Sequence, residues 1–278
     1  PFTMDLFCDI DELVKGNVKP ASNPLSPVPY QTENTRVMQE VIDFCPELSR
    51  AFIPFVCVDP ARKTKEQVEF LCSLEESYSI YGIKVNPVLC QSKIKSLMDE
   101  GACFLEFARE RDIPFLFHVN PFSNEEYSSA EDAFKVIEKN PDIRFCAAHC
   151  ILFHEEYLVK AENMENVWVD TAALKIQVQL VNDKSPIIED FDVLMEGDYS
   201  NHISIMRTLA ERFPDTLIWG TDSPAYSYIC TRKQGEGNFS LFNLKAEYGD
   251  EAEALNGLSG DLREKVGSEN ARRFLFGE

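Results

Sequence analysis

Pro114-Phe115-Leu116-Phe117-His118 and Arg144-Phe145-Cys146-Ala147-Ala148-His149 carry the decision about the fold. Each is a short apolar run that closes on a histidine. Four more runs share the form: Ala51-Phe52-Ile53-Pro54-Phe55-Val56-Cys57-Val58-Asp59, Tyr81-Gly82-Ile83-Lys84-Val85-Asn86, Val167-Trp168-Val169-Asp170 and Leu217-Ile218-Trp219-Gly220-Thr221-Asp222. They are rich in β-branched or aromatic residues and bounded by Pro, Gly, Asn or Asp, which is how a buried parallel strand reads. They start at residues 51, 81, 114, 144, 167 and 217, so the steps are 30, 33, 30, 23 and 50 residues. About 30 residues is one strand–helix–strand step. The step of 50 predicts an insertion around residues 173–198.

Amphipathic stretches fill the gaps. Helices are predicted over 33–45, 65–78, 93–111, 129–139, 155–161, 201–213 and 263–276. Pro141 and Pro214 stand just past two of them as stops, and Gly277 past the last as a C-cap. Residues 19–30 hold four prolines and read as an extended surface loop, and 226–260 reads as a long excursion after the last strand. Strict alternation of six units leaves two options, an open doubly wound sheet or a (β/α)8 barrel lacking two units. No strand leads into a Gly-rich phosphate loop, which weakens the first option. The strand ends carry His, His and Asp instead, which suits a barrel mouth. The expectation is one α/β domain over 1–278, an incomplete TIM barrel.

Composition excludes several function classes. Lys and Arg total 27 against 47 Asp and Glu, a net charge of −20. Nucleic acid and anionic membrane surfaces would repel such a chain, whereas a small-molecule substrate would not, because a site can be locally positive. No apolar run approaches the roughly 18 residues a membrane span needs. The nine cysteines are odd in number and irregular in spacing, with no CxxC pair. Cys45, Cys57, Cys72, Cys103 and Cys146 sit among apolar residues, as small buried hydrophobes do. A reducing cytoplasm is the simplest setting. The chain opens Pro1-Phe2-Thr3 and its first methionine is Met4, so it reads as processed or as lacking its original start.

His118 and His149, two of only four histidines, end consecutive runs, and Asp222 ends the sixth. In parallel α/β architecture the strand C-termini converge on one rim. Two imidazoles and a carboxylate are a common ligand set for a divalent metal, zinc first. The bland counterpart of either histidine is a hydrogen-bonded core residue. Asp222 either ligates the metal or takes a proton from the attacking water; its bland counterpart is a turn aspartate capping Thr221-Asp222-Ser223-Pro224. Lys84 lies inside a strand and needs a partner or a water-filled site. A substrate carboxylate, a pair of metals bridged after carbamylation, or an ion pair with Asp59 or Asp170 would each serve. Asn86 neighbours it as a substrate-binding candidate. His154 either reaches substrate or opens a helix. Asp59 and Asp170 read as supports for the residues of the site or as structural, Arg272 and Arg273 as structural, and His202 as a surface or capping residue.

Six segments in order now carry a resemblance: 81–87, 113–118, Ala147-Ala148-His149, 167–171, 218–224 and Asn270-Ala271-Arg272-Arg273-Phe274-Leu275-Phe276-Gly277. Together, from about residue 50 to the C-terminus, the chain resembles the amidohydrolase superfamily, in the branch that includes aminocarboxymuconate-semialdehyde decarboxylase and related metal-dependent hydrolases. The resemblance implies a metal-bearing TIM barrel whose strands 3 to 8 are the six runs. His118 would match the strand-5 histidine, His149 the strand-6 histidine and Asp222 the strand-8 aspartate. The family's H-x-H pair on strand 1 has no counterpart in this sequence; strand 2 tends to end in a segment like Pro1-Phe2, so strands 1 and 2 are expected upstream.

The functional expectation is a hydrolase acting on an amide, lactone or ring carbonyl through metal-activated water. Asp222 and His149 would carry the chemistry; His118, His149 and Asp222 would hold the metal; Lys84, Asn86 and His154 would bind substrate. The alternatives are a decarboxylase of a small carboxylated substrate, a non-catalytic relative that keeps the barrel, and a metal-free barrel using Lys84 as a Schiff-base amine. A homo-oligomer is compatible with all of them.

Overall fold

The computed structural model describes residues 26–47, 49–123, 125–223, 227–235 and 238–278. Residues 1–25, with Pro1-Phe2 and most of the proline-rich stretch 19–30, lie outside them. The chain forms two compact units, one running to Val119 with Glu125–Phe145, the other Asn120–Asn124 with Cys146–Glu278. In each unit the parallel strands lie in chain order, alternating with helices.

In the first unit, α1 (Gln31–Met38) continues as a π-helical turn over Gln39–Phe44. Then come β1 (Val56–Val58), α2 (Thr64–Glu75), β2 (Ile83–Val85), a short α3 (Pro87–Cys90), α4 (Ala102–Arg111), β3 (Phe115–Phe117) and α5 (Ala130–Glu138). The three strands pair Val56 with Ile83 and Ile83 with Phe115, and so on in step. Their first and third residues are buried and the second is half-buried, the period of two expected of a strand with unlike faces. Phe115 stacks on Phe145, the first residue of β4 (Phe145–Ala147), at 5.7 Å between centroids, and Phe117 packs on it tilted, at 5.3 Å.

Side-chain amides complete the backbone of β1. Asn34 of α1 donates to Cys57 O at 2.9 Å and accepts from Cys57 N at 2.8 Å. Gln67 of α2 does the same for Asp59, both bonds at 2.9 Å. The Asp59 carboxylate accepts from Ala61 N, Arg62 N and Ser92 Oγ and pairs with the Arg62 guanidinium. Asp59 is structural.

Three expectations change here. The helix expected over 93–111 is split into a 3₁₀ turn, Ile94–Met98, and α4. Gly101 sits at the break, where a Cβ would stand 2.5 Å from Pro60 O, so the chains approach too closely for any other residue. Tyr30, placed by sequence in a surface loop, is 2% exposed and enters α1 with φ 59°. Cys72, placed on the apolar face of α2, is exposed beside Arg111; the buried face is Thr64, Gln67, Leu71 and Leu74.

The second unit holds α6 (Glu155–Glu162), β5 (Val167–Asp170), α7 (Leu174–Asn182), α8 (His202–Arg212) and β6 (Leu217–Ile218). Asn201 caps α8, its side chain accepting from Ile203 N and Ser204 N. The expected excursion contains an antiparallel hairpin, β7 (Ser227–Gly235) with β8 (Asn238–Lys245), and α9 (Tyr248–Asn256). Gln179 of α7 ties to the end of β8, donating to Lys245 O and accepting from Lys245 N. The C-terminal helix is α10 (Gly260–Glu264), a π-helical turn and α11 (Asn270–Phe276), closed by Gly277 at φ 73°. Asn270 donates to Pro214 O and Leu217 O, fixing α11 to β6. No helix of the described residues is long and apolar enough to cross a membrane.

Helix α7 is closed at both ends by unusual means. At its C-terminus Lys184 N bonds Val181 O and Ser185 N bonds Leu180 O, a Schellman motif with lysine at the left-handed position, φ 51°. At its N-terminus Ala173, φ 57°, offers no side-chain cap. Glu251 of α9 supplies one, its Oε1 accepting from Lys175 N at 3.1 Å. The Glu251 side chain is 0% exposed, and Oε2 has no partner among the described residues. Burial pushes its pKa up to about 7, with the amides of Lys175 and Leu174 pulling the other way.

Two outcomes are expected. Lys184 is exposed, so Lys184→Gly should raise urea stability by about 1 kcal/mol by removing left-handed strain, less a few tenths for glycine's extra unfolded-state entropy; a loss of stability would contradict the motif. Between the ordinary glutamate value of 4.5 and about 7, the folded chain keeps a proton on Glu251 that the unfolded chain has released. Stability therefore falls as pH rises through that window, by about 3 kcal/mol from this group at most. The stability of Glu251→Gln relative to the parent should climb by that order from pH 4.5 to 7.5, whereas a flat difference would show an ordinary carboxyl.

Candidate functional site

The candidates of the first unit share one strand face. Ile83, Val85, Phe115 and Phe117 point into the fully buried side. Period two sends Lys84, beside Leu116, to the other face, and carries Asn86 and His118 to it as well. His118 follows β3 directly and lengthens the ladder by one bond, its N–H donating to Val85 O at 3.0 Å. Lys84 and His118 are both half-buried. Asn86 is 9% exposed and caps α3, Oδ1 accepting from Leu89 N at 3.3 Å. One lone pair of its oxygen is thereby engaged, and its amide N–H donors are what it has to offer an anionic or carbonyl ligand.

The second unit places His149, His154 and Asp222. His149 follows β4 and is 7% exposed. Its backbone N–H donates to Asp170 Oδ1 at 2.9 Å, and its Nδ1 lies 3.0 Å from Ala172 O. A carbonyl only accepts, so Nδ1 is the donor in this bond. Asp170 Oδ1 also accepts from Ala172 N at 3.0 Å. One carboxylate oxygen thus fixes both the residue that carries the imidazole and the residue that orients it.

The same turn reaches the Asp222 segment. Thr171 Oγ1 accepts from Gly220 N at 3.0 Å and donates to Gly220 O at 3.3 Å. Gly220 packs against Ala172, where a Cβ would meet backbone at 3.4 Å. Asp222 follows, half-buried, with φ 56°. Thr221 Oγ1 accepts from Ser223 N at 3.3 Å within this turn. His149 and the Asp222 segment therefore both lean on residues 170–172.

His154 is joined to His149 by a left-handed run. His149, Cys150, Ile151, Leu152 and Phe153 have φ of 62°, 51°, 47°, 49° and 61°, and all five are buried. Such a conformation costs roughly 1–2 kcal/mol for each residue with a Cβ. It is held by Cys150 Sγ on Asp170 O, by Met195 N on Phe153 O at 2.8 Å and by Glu155 N on Val193 O at 2.9 Å. Burial drives the Cys150 thiol well above its ordinary pKa, which keeps it protonated and unreactive. His154 starts α6 through its backbone, Leu158 N donating to its carbonyl. Its ring lies between Tyr157 and Phe122, at 4.8 and 6.2 Å. Burial lowers its pKa, so the imidazole is neutral at pH 7, and its Nδ1 has no partner among the described residues.

The bond from Nδ1 to Ala172 O fixes the orientation of the His149 ring, as the second bond of a metal-ligating histidine does. Among the described residues no group of three His, Cys, Asp or Glu side chains is assembled to hold an ion. Sequence reasoning missed Glu251, inside the supposed excursion, where no periodicity marks one glutamate among several. His202, read as a surface or capping residue, has Nε2 3.2 Å from Asp250 O, between α8 and α9.

The amidohydrolase family profile matches residues 20–277. No curated protein matches the chain. Among solved structures, an uncharacterised TIM-barrel protein from Bordetella bronchiseptica is similar at 15% identity and TM-score 0.56, over 87% of this chain and 72% of that one. Dihydroorotase from Campylobacter jejuni is similar at 16% identity and TM-score 0.52, over 84% and 70%. A 5-carboxyvanillate decarboxylase from Novosphingobium aromaticivorans, with manganese and a nitrobenzoic acid bound, is similar at 12% identity and TM-score 0.50, over 88% and 71%. These likenesses establish the barrel-type α/β fold, and the profile, spanning nearly the whole sequence, establishes the lineage: the chain belongs to the amidohydrolase family.

Proposed function

We propose that the chain is a metal-dependent hydrolase of a small molecule bearing an amide, lactone or ring carbonyl. The observation that carries this reading is the His149 imidazole, buried at a strand end and oriented by the bond of Nδ1 to Ala172 O. His118, His149 and Asp222 are the residues proposed to hold the metal. When bound, a divalent metal supplies an acidified water and an electrophile for a carbonyl oxygen. Zinc suits an imidazole and carboxylate set, and manganese is the ion in the 5-carboxyvanillate decarboxylase from Novosphingobium aromaticivorans.

The chain's own groups divide the remaining work. Asp222 takes the proton of the attacking water. His149 is proposed as a metal ligand that also stabilises the developing oxyanion. Lys84 and the Asn86 amide are proposed to bind a substrate carboxylate or carbonyl, and neutral His154 to pack or hydrogen-bond against substrate. A cytoplasmic setting suits Cys146 and Cys150, which are buried free thiols.

The test is metal analysis and kinetics on the full chain with zinc or manganese and a panel of amides, lactones and carboxylated aromatics. Asp222→Asn should lower kcat by about 10²–10⁴-fold with little change in KM. His118→Ala and His149→Ala should lower metal content first, with activity falling in proportion and partly restored by excess metal. Carbon dioxide release without a hydrolysis product would turn the reading to a decarboxylase. Near-full kcat in Asp222→Asn, or unchanged metal content in both histidine variants, would overturn it.

A further inference from the structure

We propose that Glu251 is a positioning residue for His149, acting through the first turn of α7 and the carbonyl of Ala172. This rests on the reading of His149 as a functional imidazole. Glu251 lies on α9, remote in sequence from the strand ends, yet Oε1 accepts from Lys175 N at 3.1 Å. Ala173, between Lys175 and Ala172, is left-handed at φ 57° and gives α7 no cap of its own. The Glu251 carboxylate is therefore the side-chain acceptor at this end of the helix, and it sets where the helix starts. Two residues earlier, Ala172 O receives the Nδ1 proton of His149 at 3.0 Å.

Glu251 is itself held from two sides. Trp219 Nε1 donates to Glu251 O at 3.0 Å, tying α9 to the segment that leads into Asp222. Its neighbour Asp250 pairs with Lys175 Nζ at 2.7 Å, so two consecutive acids of α9 grip one residue of α7. The Glu251 side chain is 0% exposed and Oε2 is unpartnered, an arrangement that surface capping does not need. A buried acid with one engaged oxygen is an expensive cap, while Ala173, 2% exposed and left-handed, has no polar side chain to cap the helix itself. What the buried acid adds is a fixed distance between α9 and residues 172–175.

The test reads the imidazole directly. Nitrogen-15 spectra of the full chain, labelled at histidine, report the tautomer of His149 without substrate or metal. In the parent the Nδ1–H form should dominate. Glu251→Asp withdraws the acceptor by one methylene, and the tautomer ratio should fall about five- to tenfold, the worth of one neutral hydrogen bond. Glu251→Leu should do the same or more, and Glu251→Gln, which keeps an acceptor in place, should restore the parent signal. An unchanged His149 spectrum in Glu251→Asp overturns the proposal, even where Glu251→Leu fails to fold. Failure of the functional reading shows separately, as full activity and metal content in His149→Ala.

Discussion

One oxygen, Asp170 Oδ1, accepts the backbone N–H groups of both His149 and Ala172. Charge-assisted bonds of this kind are roughly twice as strong as neutral ones. Here they fasten the end of β4 to the end of β5 within the second unit. The backbone placement of His149 and of Ala172 follows from that fastening. The residue enters a left-handed turn, its imidazole falls beneath Ala172 O, and the next turn of chain packs under Asp170. Thr171 adds a two-way hydroxyl link to Gly220. Residues 170–172 are thus a bracket with three arms. The aspartate at a strand end is structural here because it organises its neighbours' backbones.

A second theme is the use of planar amides as substitute strands. Asn34 serves Cys57, Gln67 serves Asp59 and Gln179 serves Lys245, each donating and accepting once with one residue. A primary amide has the donor and acceptor spacing of a peptide group, so it closes a backbone pair that a ladder would otherwise close. This matters for strands of three residues, where each ladder bond is a large share of the total. It also blunts exposed backbone at strand margins, where another chain would pair.

The alternation of strands and helices was legible because its signals are local. Apolar runs of the right length, Ser129 and Asn201 as caps, and Gly277 as a stop all act within a few residues. The histidines at strand ends were legible for the same reason, and period two accounts for Lys84, Asn86 and His118 sharing a face. What sequence could not reveal depends on distant partners. Gly101 breaks a helix because of Pro60 O, and Glu251 is buried because α7 lacks a cap. Cys72 faces outward because Gln67 takes the inward position to serve Asp59. The hairpin of β7 and β8 was passed over because its composition is polar and lacks the strict alternation of a half-buried ribbon. The left-handed run at 149–153 has no sequence signature, since none of its residues is a glycine.

That run bears on the order in which the molecule is made. Five consecutive side-chain-bearing residues do not choose left-handed dihedrals on their own, so nothing in the segment can nucleate it. Its supports come from Asp170, about twenty residues later, and from Val193 and Met195, some forty residues later. The segment reaches its shape only after β5 and the strap at 193–195 are in place. On a growing chain His149 is synthesised well before the residues that give it its geometry. The geometry of the imidazole therefore waits on contacts supplied by residues made after it.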